Sequence, residues 1–195
     1  MREATISRKT RETDISLTLS LDGSGRTSIV TGIGFFDHML DALCRFGQLD
    51  LTLRCAGDLD VDAHHTVEDC GICLGKALRE ALGDRAGIRR VGSAYLPMDE
   101  ALAFAALDIS GRPYLAWSAA FLAPMCGGMD TQLAEEFFRA LAVNAGLTLH
   151  LKVIEGRNDH HKMEALFKAF GLALREAAGP DGRVRGVLST KGSLD

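Results

Sequence analysis

Apolar and polar positions alternate over several short stretches of the chain. Ile15, Leu17, Leu19 and Leu21 fall on one face of an extended segment, which predicts a half-buried strand. Asp22-Gly23-Ser24-Gly25 reads as a turn into a second strand over residues 27–31. Residues 36–46 follow helical spacing, with Gly47 expected as the C-cap. Leu49, Leu51 and Leu53 alternate again, and residues 66–82 predict a longer helix closed by Gly83. The second half repeats this series. Strands are expected near residues 91–96, 101–109 and 114–117, then a helix over 131–145, a strand over 147–153 and a helix from His160. Each half is a few strands followed by helix, strand, helix. That order predicts an α+β fold with helices on one face of a sheet.

The similarity of the halves goes beyond pattern. Residues 64–83 and 160–179 are identical at ten of twenty positions without a gap. His64/His160, His65/His161, Glu68/Glu164 and Gly75/Gly171 all match, as does the run Ala77 to Ala81 against Ala173 to Ala177. The chain therefore reads as an internal duplication, residues 1–86 and 87–195, joined near Ala86 to Arg90. No Pro/Ser-rich linker separates the copies, so they are expected to pack as one body.

Composition narrows the class. With 195 residues, 47% apolar, 25% charged and a formal charge of −4, the chain reads as an ordinary globular protein. No basic block marks a nucleic-acid partner. The longest apolar run, Ala101 to Leu107, is far shorter than the roughly 18–20 residues that span a bilayer, so no membrane role is expected. The start of the chain, polar and mixed in charge, does not resemble a signal peptide. Five cysteines without framework spacing point to reduced thiols and a cytoplasmic location. Cys70 and Cys73 form a C-x-x-C pattern, but their counterparts Leu166 and Ala169 are apolar, so both thiols are read as core residues.

The chemistry concentrates in the histidines. Five of six lie in or beside the repeated motifs: His38, His64, His65, His160 and His161. Within each long helix, His and Glu at i and i+4 lie about 40° apart on the wheel, with the second histidine beside them. The apolar arc of Val67, Cys70, Gly71, Leu74 and Leu78 lies opposite, which directs the polar cluster away from the core. Asp62 and Asp159 stand near the expected N-caps. Imidazole with carboxylate suits a borderline divalent ion, and the duplicated set implies two. His150, on the polar face of its strand, is read as a surface residue.

Several separated motifs then resemble one family. Gly32-Ile-Gly-Phe-Phe-Asp-His-Met-Leu40, Asp62-Ala-His-His-Thr-Val-Glu-Asp69, Leu96-Pro-Met-Asp-Glu-Ala-Leu102, Gly156-Arg-Asn-Asp-His-His-Lys-Met-Glu164 and Ser189-Thr-Lys-Gly192 are similar to those of imidazoleglycerol-phosphate dehydratase, a lyase of histidine biosynthesis. The resemblance runs from Arg8 to the end of the chain. It implies two copies of a four-stranded sheet with two helices, like the second domain of ribosomal protein S5. It also implies self-association into a 24-subunit shell built from trimers.

Carried across by motif, the resemblance implies two divalent ions per active site, with Mn²⁺ expected. Their ligands would be His38, His64, His65, Glu68, His160, His161 and Glu164. An eighth ligand in the family is a histidine before Phe-Phe-Arg; here Glu136 stands in its place and is expected to ligate. Glu12 is expected to shuttle the proton, with Glu68 and Glu164 serving the reaction as ligands and Asp69 orienting them by hydrogen bonding. His38 would also touch the phosphorylated imidazole substrate. Arg90, Arg112, Ser189, Thr190 and Lys191 would hold its phosphate, with the polar tail ordering over it. The reaction removes water from imidazole glycerol phosphate to give imidazole acetol phosphate. The lost proton sits on a barely acidic carbon, and metals on both ring nitrogens would favour an imidazolate that expels the hydroxyl as a diazafulvene forms. Two other readings fit the same ligands: a dinuclear metallohydrolase, and a non-catalytic metal-binding shell protein.

Overall fold

The computed structural model describes residues 2–194. The first repeat forms β1 (Glu3–Lys9), β2 (Thr13–Ser20), β3 (Thr27–Val30), α1 (Gly34–Gly47), β4 (Asp50–Gly57) and α2 (His64–Leu82). The second forms β5 (Val91–Met98), β6 (Ala101–Asp108), β7 (Tyr114–Ser118), a short hairpin β8 (Met125–Cys126) and β9 (Met129–Asp130), α3 (Leu133–Ala145), β10 (Thr148–Glu155) and α4 (Asp159–Ala178). The expected tail residue Asp195 lies outside the described residues.

Both repeats build the same sheet, in the orders β1-β2-β4-β3 and β5-β6-β10-β7. In each, the first three neighbours run antiparallel and the last strand, β3 or β7, joins in parallel. Register follows the alternation: Leu17 lies opposite Leu53 and Leu19 opposite Leu51, all buried on the helix side. This is the duplicated α+β architecture that the pattern predicts. Strand β1 was not legible, because Ala4 and Ile6 are its only apolar residues and it lies at the sheet edge.

The helices cross between repeats. Helix α1 packs on α4, and α3 packs on α2. Close approach at these crossings explains the glycines shared by the two copies. A Cβ at Gly75 would stand 2.6 Å from the Leu141 carbonyl oxygen, and one at Gly171 would meet the Leu43 carbonyl and stand 3.0 Å from the Gly47 nitrogen. Aromatic rings fill the centre: Phe36 meets Phe137 edge-on at 5.3 Å, and Phe137 stacks on Phe167 at 5.3 Å. All three are fully buried, each contributing about 1.5–3 kcal/mol by burial.

Three local expectations are corrected. The left-handed residue ending α1 is Gln48 (φ 52°), not Gly47, which is the last helical residue. Gly47 is small for contact: a Cβ there would stand 3.3 Å from the Gly171 carbonyl oxygen. Asn158, not Asp159, caps α4, accepting from the His160 and His161 amides. Asp159 instead accepts from the Leu122 and Ala123 amides at 2.8 Å and pairs with the buried Lys162, tying down the loop before β8. Ala63 holds the cap position of α2, although Asp62 does accept from the His64 amide at 2.7 Å. The tail is docked: the Leu188 and Leu194 carbonyls accept from Arg90 (2.6 Å) and Arg85 (2.9 Å), and Leu194 is buried.

Candidate active site

The α1–α4 crossing sets His38 from the first repeat beside His160 and Glu164 from the second. His38 Nε2 and His160 Nε2 lie 3.3 and 3.0 Å from Glu164 Oε2. One ligating atom from each of the three lies within 4.8 Å of the others. Glu164 is buried, so the cluster is not directed away from the core throughout, as the helical wheel implies; α1 covers what the wheel leaves open. Burial pushes the Glu164 carboxyl upward, but Lys168 Nζ at 2.6 Å, with His160 and His38, outweighs it and holds the pKa below its ordinary value. An ionised carboxylate and two imidazoles within reach of one point form a donor set that fits a borderline divalent cation.

At the pseudo-equivalent crossing of α3 on α2 the candidate ligands lie farther apart. His64 Nε2 lies 3.7 Å from Glu68 Oε2. Glu136 is the counterpart of His38 at an offset of 98 residues. Its carboxylate lies 3.6 Å from Arg139 Nε, and it lines a cavity of about 690 Å³ together with His64, Asp62, Asp130 and the glycines Gly127 and Gly128. Glu136 and His64 therefore share a cleft, but they do not form a close three-residue group like that of His38.

The second histidine of each pair turns elsewhere. His65 places Nδ1 3.0 Å from Asp58 Oδ2 and Nε2 3.8 Å from Glu12 Oε1. His161 places Nδ1 2.8 Å from Glu100 Oε2 and Nε2 3.6 Å from Asp99 Oδ2. Hydrogen bonding to Asp58 and to Glu100 raises the two histidine pKa values. Glu100 in turn is held down to about 2 by the Asn158 amide, by His161 and by the Arg157 amide. Asp58, Asp99 and Glu100 were missed in the sequence because turn carboxylates carry no periodicity; only their distance from the histidines marks them.

Asp69 does not contact a candidate ligand among the described residues. It is buried, and it accepts from Arg8 and from Thr13 Oγ1 (2.5 Å), the residues that flank the turn carrying Glu12. Its hydrogen bonds run toward the β1–β2 turn rather than toward the histidines.

The five residues expected to hold phosphate gather in one place. Arg90, Arg112, Ser189, Thr190 and Lys191 line a cleft of about 640 Å³ with Arg183 and Arg185, which sequence reasoning did not single out. Arg90 is fixed there by Asp108 at 2.7 and 2.8 Å and by the Leu188 carbonyl. Fixed cations and the hydroxyls of Ser189 and Thr190 are suited to an anion. Among the described residues, none lines both this cleft and the one that holds His64 and Glu136.

Comparison with known proteins bears on this geometry. The family model described as imidazoleglycerol-phosphate dehydratase matches residues 31–174. The imidazoleglycerol-phosphate dehydratase of Symbiobacterium thermophilum is 63% identical over 193 residues, covering 99% of this chain and 93% of that protein. That of Cereibacter sphaeroides is 59% identical over 195 residues, with both chains fully covered. Among solved structures, the crystal structure of imidazoleglycerol-phosphate dehydratase from Staphylococcus aureus superposes with a TM-score of 0.82 at 41% identity, covering 90% of this chain and 97% of that one. The enzyme from Pyrococcus furiosus superposes with a TM-score of 0.83 at 37% identity, covering 97% and 100%.

Proposed function

Because the chain belongs to the imidazoleglycerol-phosphate dehydratase family, we propose that the dehydration it catalyses in histidine biosynthesis depends on divalent ions held by its own histidines and glutamates. The activity is that of a hydro-lyase, turning imidazole glycerol phosphate into imidazole acetol phosphate. The observation that carries the metal reading is the grouping of His38, His160 and Glu164 within 4.8 Å across two repeats. His64, His65, Glu68, Glu136 and His161 complete the proposed ligand set, with Mn²⁺ as the proposed ion. When bound, such ions supply Lewis acidity that lowers the pKa of the substrate's imidazole ring.

The chain's own groups do the rest. Glu12 is half-exposed at the β1–β2 turn, and its carboxylate is free to take a proton from the substrate carbon and return it. The Glu12 and Thr13 amides donate to Thr10 Oγ1, which holds the backbone of that turn. The cationic cleft around Arg112 and Lys191 holds the phosphate, and Arg90 anchors the tail that closes that cleft. Assembly into a 24-subunit shell built from trimers is part of the same proposal, for which the exposed Val91, Tyr95 and Tyr114 offer apolar surface. Free thiols at Cys44, Cys55, Cys70, Cys73 and Cys126 agree with a reducing, cytoplasmic setting, and no described helix is long and apolar enough to cross a membrane.

The test is to measure product and metal together. Purified protein supplied with imidazole glycerol phosphate is expected to release acetol phosphate, to lose that activity on thorough chelation and to regain it with Mn²⁺. Full activity in protein shown to be free of metal would overturn the metal reading. Release of inorganic phosphate instead would identify a hydrolase.

A further inference from the structure

We propose that Asp58 and Glu100 are positioning residues, each taking the Nδ1–H of the second histidine in its repeat and thereby presenting Nε2 of His65 or His161 as a lone-pair donor. The inference rests on the metal reading above and concerns residues outside the ligand set.

A carboxylate oxygen accepts, so Asp58 Oδ2 at 3.0 Å and Glu100 Oε2 at 2.8 Å fit a proton on Nδ1 of their histidines. A neutral imidazole protonated at Nδ1 has its lone pair on Nε2. On that side each ring faces a second carboxylate, Glu12 at 3.8 Å and Asp99 at 3.6 Å. Both separations exceed hydrogen-bond range. Each Nε2 lone pair is therefore left open toward a cation.

The two repeats reach this arrangement by different routes. The carboxylates facing Nε2 are equivalent, since both stand in the first hairpin turn of their repeat, β1–β2 or β5–β6. The carboxylates holding Nδ1 are not. Asp58 follows β4, whereas Glu100 comes from the hairpin turn itself. An inherited contact would sit at the same place in both copies. The same hydrogen bond built from unrelated positions points to a shared demand on the histidine.

Each residue also ties its histidine to neighbouring backbone. The Asp58 amide donates to the Glu12 carbonyl at 3.0 Å, so one residue locates both His65 and the turn bearing the base. In that turn Thr10 Oγ1 accepts from the Glu12 and Thr13 amides at 3.1 and 3.0 Å. Glu100 Oε1 accepts from the Arg157 and Asn158 amides at 3.0 and 2.7 Å, fixing the start of the helix that carries His161.

The experiment uses full-length Asp58→Asn, Asp58→Ala and Glu100→Gln proteins beside wild type. Mn²⁺ affinity is read by calorimetric titration, and histidine tautomers by nitrogen-15 NMR of the metal-free proteins. Mn²⁺ binding is expected to weaken by about 10–100-fold in each variant. The Nδ1–H tautomer, dominant at His65 and His161 in wild type, is expected to become mixed. Asp58→Asn keeps the shape and the backbone amide, so it reports even if the alanine variant fails to fold. Folded variants with wild-type Mn²⁺ affinity and unchanged tautomers would overturn the positioning role alone. Wild-type protein that takes up no Mn²⁺ would overturn the metal reading, and the proposal with it.

Discussion

His38 and Glu164 belong to different repeats, 126 residues apart in sequence, and His38 Nε2 stands 3.3 Å from Glu164 Oε2. The contact exists only because α1 lies on α4, where Gly47 and Gly171 let the two backbones approach. The candidate metal cluster is thus a product of how the duplicated units interlock.

Glu164 serves two partners, and they can be separated. Glu164→Gln should abolish metal uptake by the His38–His160 cluster. It should also cost about 1.5–3 kcal/mol of stability, because Lys168 loses its charged hydrogen bond in a largely buried place. Adding Lys168→Met should restore much of the stability without restoring the metal. Denaturant unfolding and metal analysis of the single and double variants check this; metal retained in the single variant would remove Glu164 from the ligand set.

Glu12 is half-exposed, and its backbone is fixed by the Asp58 amide and Thr10 rather than by its own side chain. Glu12→Gln should therefore leave folding and metal content unchanged while lowering kcat by about 100–10,000-fold. Steady-state kinetics on metal-replete protein decide it. Undiminished turnover would assign the proton transfer to another group.

Removing residues 188–195 deletes the carbonyl that Arg90 holds, along with Ser189, Thr190 and Lys191 from the cationic cleft. KM should rise by at least about tenfold, the loss expected for one or more charged hydrogen bonds to phosphate. Metal content should stay constant, since no candidate ligand lies in the tail. A truncated protein that loses its metal would contradict this division of labour.

Asp50 accepts from the Ser24 and Arg26 amides at 2.7 and 2.9 Å and from the Arg26 guanidinium, which together hold its pKa well below the usual carboxylate range. A folded pKa below the unfolded value of about 4 adds stability at pH values above 4. That contribution is lost as pH falls through the folded value. Asp50→Asn should therefore be less stable than wild type at pH 7, with the difference shrinking in strong acid. Thermal melts from pH 7 to pH 2 measure it, and a constant gap would refute the assignment.

Much of this protein is local and so was written in the chain. The alternation at Ile15 to Leu21 specified β2, and helical spacing with Gly83 specified α2, because a half-buried strand or helix must repeat its apolar face with its own period. The His-His-x-x-Glu motifs marked the chemistry, since residues four apart in a helix must be neighbours. The rest depended on pairing at long range. No period announces that α1 covers α4 or that Asp58 and Glu100 meet His65 and His161. Nor does one foretell that Asp69 turns to Arg8 and Thr13, or that the tail docks on Arg90 and Arg85. Those contacts join irregular segments brought near by the packing of two sheets and four helices, where proximity is decided by side-chain volume and closeness of approach rather than by order along the sequence.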